Sequence, residues 1–142
     1  MAVTQFIHSA LSATTYLTTD LNSLADTSSF LGGAINNSSN RDMWLMVEIY
    51  LASVDLSAET SPGVGLRLLE SIDGGTNYED NDDQAYAISL PVAATSAAHR
   101  RAGHLMIPPG YFKLAVVNNT GAAFAATGNI FKYAPYTPET DI

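Results

Sequence analysis

The chain contains no cysteine, so neither a disulfide framework nor a thiolate metal site is available to it. Charge is also scarce. Only 14% of its 142 residues are Asp, Glu, Lys or Arg, with six basic residues against fourteen acidic ones. A net charge of −8 opposes any binding that works by neutralising phosphates, so nucleic acid is not expected as a partner. An anionic membrane surface is disfavoured for the same reason. No apolar run approaches membrane-spanning length, and Met1-Ala2-Val3-Thr4-Gln5-Phe6 lacks the basic start of a secretory leader. A product of the host cytoplasm is the expectation.

What is present is apolar and neutral-polar. Apolar residues make up 46% of a chain long enough for one domain with a real core. Ser, Thr and Asn must supply most of the polar surface, a makeup that suits strands and loops better than helices. The fold must then hold by burial, hydrogen bonding or association with copies of itself.

The first forty residues carry only Asp20 and Asp26 as charges. Val3, Phe6, Ile7, Ala10 and Leu11 fit a helical stripe, weakened by the Ser and Thr around them. Thr14 to Thr19 has the β-branched makeup of a strand, suited equally to an edge strand or to an arm on a neighbouring copy. Phe30 to Ile35 is a further strand candidate, closed by the loop Asn36 to Asn40.

From Met43 the alternation is strong. Leu45, Val47, Ile49 and Leu51 share one face, and Trp44, Met46, Glu48 and Tyr50 share the other, as in a central sandwich strand whose outer face is also partly covered. Val64, Leu66 and Leu68 oppose Arg67 in the next strand, which runs into the turn Asp73-Gly74-Gly75-Thr76-Asn77. An acidic loop follows at Glu79 to Asp83, then Tyr86, Ile88 and Leu90 on one face of a strand ended by Pro91. Ala98 to Ile107 is the next strand, and Pro108-Pro109-Gly110 a stiff turn. Phe112, Leu114 and Val116 then face inward with Lys113 outward. Asn118 to Gly121 forms a turn, Gly128 to Tyr133 a last strand, and Ala134 to Pro138 an extended tail that Tyr136 anchors. Short strands separated by turns, with no long helix, predict an all-β chain: a single antiparallel β-sandwich, jelly-roll or immunoglobulin-like, with an extended N-terminal arm. The division expected is an arm or edge segment over 1–28, the sandwich over 29–133, and a tail over 134–142.

Catalytic patterns are not found. There is no G-x-S-x-G elbow and no G-x-x-x-x-G-K phosphate loop, and nothing selects a carboxylate pair from fourteen acids. An enzyme is therefore not expected, nor a cofactor. His99 and His104 lie on opposite faces of a strand, a poor geometry for one metal, and with His8 they read as surface residues. The acids Asp73, Glu79, Asp80, Asp82 and Asp83 do not have the spacing of a helix-loop-helix calcium site and read as a solvated hairpin loop. No metal ligand is assigned.

Four residues are candidates for contact with a partner. Arg100 and Arg101 are two of only six Lys or Arg residues and adjoin a predicted strand, so they can meet an acidic loop of a neighbouring copy. A solvated pair is the plainer alternative. Trp44, with Tyr50 on the same face, suits a subunit interface or a sugar-stacking shelf, and equally a covered flank. Tyr136 is the fourth, as the tail's anchor.

The runs Leu68 to Asp80 (LLESIDGGTNYED) and Ile107 to Gly121 (IPPGYFKLAVVNNTG) resemble small virion proteins of tailed bacteriophages, in character above all the head decoration, or capsid cement, proteins. The resemblance covers about the C-terminal two thirds of the chain. It implies a structural protein with no catalytic residue to carry over. Such a protein clamps neighbouring major capsid subunits on the outside of the phage head, often as a homotrimer. The expected location is then the virion, at the phage head surface. A carbohydrate-binding β-sandwich module, or a phage tail or fibre component, is the alternative.

Overall fold

A computed structural model describes residues 6–7 and 12–140. Eleven strands follow in order: β1 (Phe6–Ile7), β2 (Thr14–Leu17), β3 (Ser29–Leu31), β4 (Ile35–Asn36), β5 (Trp44–Leu51), β6 (Gly63–Ser71), β7 (Ile88–Pro91), β8 (His99–Met106), β9 (Tyr111–Asn119), β10 (Ile130–Tyr136) and β11 (Glu139–Thr140). The only helical pieces among the described residues are short 3-10 turns at Thr19–Leu21 and Asn81–Asp83.

Two antiparallel sheets form a sandwich. One has the order β2-β10-β5-β8; the other runs β3-β9-β6-β7, with β4 also paired to β9. Setting aside the terminal pair and counting β3 with β4 as one interrupted strand, the orders are first-eighth-third-sixth and second-seventh-fourth-fifth. This is the jelly-roll arrangement, which decides between the two topologies left open by periodicity. A separate ribbon pairs β1 with β11, joining the two ends of the described chain.

The inward rows are the ones the alternation predicts. Leu45, Val47, Ile49 and Leu51 of β5 are fully buried, as are Val64 and Leu66 of β6 and Phe112, Leu114 and Val116 of β9. Phe131 fills the centre from β10. Burial of these large side chains, at about 1.5–3 kcal/mol each, is the main stabilising term. Two edges are drawn together by special residues. Gly103 of β8 faces Ile88 and Leu90 of β7, where a Cβ would overlap Ile88 Cδ1. On the opposite side Tyr16 packs edge-on against Phe131 and Tyr133, and its hydroxyl donates to the Gly33 carbonyl. Burial pushes the Tyr16 phenol up to about 12.

Several expectations are corrected. Phe6–Ile7 is a strand, not part of a helix; the rest of that stripe and His8 lie outside the described residues. Of the two alternatives for Thr14–Leu17 the structure has the edge strand, whereas Ala134, Pro135 and Tyr136 belong to β10 and not to a tail. Pro135 is tolerated there because it stands beyond the last pair with β2, at Thr14, and its ring nitrogen points away from β5. Tyr86 does not share the face of Leu90: its ring lies against Gly65 on the outside of β6, where a Cβ would stand 2.7 Å from it. His99 is buried, not superficial.

Asparagine also departs from its expected place at the surface. Asn37, Asn118 and Asn129 are buried. Asn118, expected in a turn, is the last residue but one of β9, its amide donating to the Leu24 and Ala122 carbonyls, both at 2.8 Å. Its oxygen accepts from the Thr120 amide and hydroxyl. Asn37 likewise ties its loop to Asp42 and to Pro108. A buried amide with all its partners makes a loop rigid, because each bond lost strands a group without water.

Candidate binding face

The outer faces of the two sheets differ. On the β9–β6 sheet, the residues 73–87 fold back over the surface as a flap. Arg67 and Lys113 rise from beneath to hold it. Arg67 Nη1 donates to the Asn81 carbonyl at 2.8 Å, and the guanidinium lies 5.6 Å from the Tyr86 ring centre. Lys113 Nζ is 4.2 Å from the ring centre of Tyr78. Asn119 donates to the Tyr86 hydroxyl at 2.7 Å, and Glu70 and Glu79 exchange backbone and side-chain hydrogen bonds. Outward-facing Leu69, Ala115 and Val117 are thereby buried. The acidic loop is thus a cover, with Asp82 and Asp83 exposed on its outside. At its start, the Asp73 carboxylate accepts from the Asn77 and Thr76 amides and the Ser71 hydroxyl, which holds it down at about 2. Among the described residues no group of three or more His, Asp or Glu is placed to hold a metal.

The β10–β5–β8 sheet has no such cover among the described residues. Register puts Tyr136, Trp44 and Met106 in one row across its outer face, and Ala134, Met46 and His104 in the next. Met106 is 64% exposed, and Met43, just before β5, is 51% exposed. Trp44, Met46 and Tyr136 are half-buried. The Tyr136 hydroxyl and His104 Nδ1 are 2.8 Å apart, with rings meeting edge-on at 5.7 Å, so the two side chains bridge over β5 between Trp44 and Met46. The result is a mixed aromatic and methionine surface with one polar bridge. Further along, Lys132, Glu48 and Ala102 form a third row and Ile130, Tyr50 and Arg100 a fourth.

Of the four candidates from the sequence, Trp44 and Tyr136 are therefore direct cross-strand neighbours. Arg100 and Arg101 are split. Arg100 is on the outer face, paired with Glu48 and stacked 5.1 Å from the Tyr50 ring centre. Its acidic partner within the chain lies in its own sheet. Arg101 has the parity of the inner face but is exposed at the sheet edge. Sequence reasoning missed Met106, Met43 and His104 as members of the surface; only the strand register brings them beside Trp44.

A sequence scan against known family models finds no match. No curated protein matches the chain either. Among solved structures, it is similar to a family 35 carbohydrate-binding module from Cellvibrio japonicus Abf62, at 12% identity over 99% of this chain and 86% of that one, with a TM-score of 0.47. It is similar also to a family 35 module solved with a glucuronic acid-containing disaccharide, at 10% identity over 98% and 85%, TM-score 0.46. A capsid chain of cowpea mosaic virus empty particles matches at 10% identity over 71% and 57%, TM-score 0.35.

Proposed function

We propose that the protein is a non-catalytic docking module, which seats the Trp44–Tyr136–Met106 face on another protein as a structural component of a phage virion. The observation that carries it is the inequality of the two outer faces. One sheet is covered by its own flap, with Leu31, Ile72 and Tyr86 exposed singly around it, while the other has Met43 and Met106 exposed beside half-buried Trp44 and Tyr136 on an uncovered face. Trp, Tyr and Met are enriched in the cores of protein interfaces. Methionine in particular suits a protein partner, because its flexible thioether adapts to a contoured surface. The resemblance at Leu68–Asp80 and Ile107–Gly121 supplies the partner class, the major capsid protein on the outside of the head. Many weak copies of this contact on a repeating shell add up by multivalency, and binding only the assembled shell stabilises it. A homotrimer on the lattice fits the same reading.

The test is cosedimentation with purified heads of the phage that encodes the chain. Met106→Glu places a charge on an exposed side chain and leaves the core intact; binding should fall about 10–100-fold. Equal binding of the variant would remove the face from the reading. A second reading is a carbohydrate-binding module, favoured by one observation: Trp44 and Tyr136 are cross-strand partners on a sheet face without a cover among the described residues. Glycans that change the fluorescence of this single Trp, with no retention on heads, would select it.

A further inference from the structure

We infer that the free edge of β8 is a second contact site, which takes an extended acidic peptide segment as an added strand. This goes beyond the docking face and does not depend on what covers it. The edges of the two sheets are not alike. β3 and β4 have three and two residues, β7 has four and ends at Pro91, and β2 has four with a register shift opposite Phe131 and Lys132. Short length, proline and irregular pairing are the usual ways of blunting an edge. β8 has eight residues, regular register with β5 throughout, and no proline.

The alternation of hydrogen bonds shows which groups are offered. The Ile107 amide donates to the Met43 carbonyl, so residues 99, 101, 103 and 105 turn their backbone groups toward β5. Pro135, opposite Leu45 on the other side of β5, agrees with this phase, since it has no amide to give. Arg100, Ala102, His104 and Met106 therefore direct their N–H and C=O groups outward. Arg100, Arg101 and Ala102 are all exposed, which in a strand covered on one face requires an open edge as well.

Charge selects the occupant. β8 holds Arg100 and Arg101 of the six Lys and Arg residues, His99 and His104 of the three His, and no acid. Arg100 is committed to Glu48, but Arg101 makes no salt bridge or hydrogen bond among the described residues. Two copies meeting edge to edge would bring these arginines together, so the same residues that deter self-pairing favour an acidic strand. Main-chain bonds give such a complex its affinity and the alternate side chains its selectivity.

The probes are two synthetic peptides, one alternating valine with glutamate and one alternating valine with lysine. Amide NMR should show shifts confined to β8, with slowed exchange at Arg100, Ala102, His104 and Met106. The acidic peptide should bind roughly tenfold or more tightly than the basic one, and Arg101→Glu should remove that preference. Ala102→Pro deletes an outward N–H at an edge, where proline is tolerated, and should abolish binding. Equal affinity for both peptides, shifts away from β8, or full binding by Ala102→Pro would each overturn the proposal. So would a dimer mass lost in Ala102→Pro, because the occupant would then be a second copy.

Discussion

Arg67→Met should loosen the flap without unfolding the sandwich. The guanidinium makes one charge-assisted hydrogen bond to the Asn81 carbonyl, worth about 1.5–3 kcal/mol. Its stacking on Tyr86 adds about 0.5–1 kcal/mol. The Asp82 carboxylate, 3.8 Å away and 93% exposed, adds about 0–0.5 kcal/mol. Against these, Arg67 Nε is buried without a partner, and removing it returns about 1 kcal/mol. The net loss is about 1–3.5 kcal/mol, and it falls on local opening of 73–87, not on the core. Proteolysis by an enzyme that cuts after acidic residues reads that opening, since Glu79, Asp80, Asp82 and Asp83 all lie in the flap. When reclosing outpaces cleavage, the rate follows the open population and should rise about 5–400-fold. Asp82→Asn should change it by less than about threefold. A rise of less than about threefold for Arg67→Met, or equal effects of the two substitutions, would refute the account of how the flap is held.

Asn118→Asp turns a carboxylate toward the Leu24 and Ala122 carbonyls, and should cost at least about 3 kcal/mol in urea unfolding followed by Trp44 fluorescence. Gly103→Val drives a side chain into Ile88, and the same assay should show a loss of about 2–3 kcal/mol. Tyr16 binds its proton more tightly when folded, its phenol moving from 10.0 to about 12. Its contribution is therefore complete below pH 10 and is lost as pH rises toward 12; Tyr16→Phe should flatten the alkaline decline in stability over that window.

The strands of the core were legible because one face of each is buried and period-two alternation records that directly. β5, β6 and β8 each begin and end within two residues of the predicted runs, and β9 begins one residue before Phe112 but continues to Asn119, through the expected start of a turn. The flap was not legible, because its residues are polar and what they cover is set by Arg67 and Lys113 from other strands. Tyr86 shows the same limit: its spacing from Ile88 mimics a strand, whereas Gly65 opposite it leaves room for the ring. Buried asparagines are equally silent, since composition cannot separate a solvated amide from one with every bond made. For the candidate face, alternation placed Trp44 with Met46 and Tyr50, and proximity of Tyr136 required the pairing of β10 with β5, between residues 92 positions apart in the sequence.

Charge and shape are distributed in the same sense over the two layers. The flap puts Asp82 and Asp83 on the outside of one sheet, and Arg67 and Lys113, the cations beneath it, are spent on holding it closed. The other sheet carries the open apolar face and, along its edge, the uncompensated Arg101. An acidic partner is therefore repelled from the flap side and drawn toward the side with β8, so long-range charge and short-range burial favour one orientation. If that is how the molecule is aimed, Arg101→Glu should slow association more than it speeds dissociation, with the difference shrinking as salt is raised, whereas Met106→Glu should act chiefly on dissociation. The reverse pattern would mean that the edge contributes to the bound contact alone and does not steer the approach.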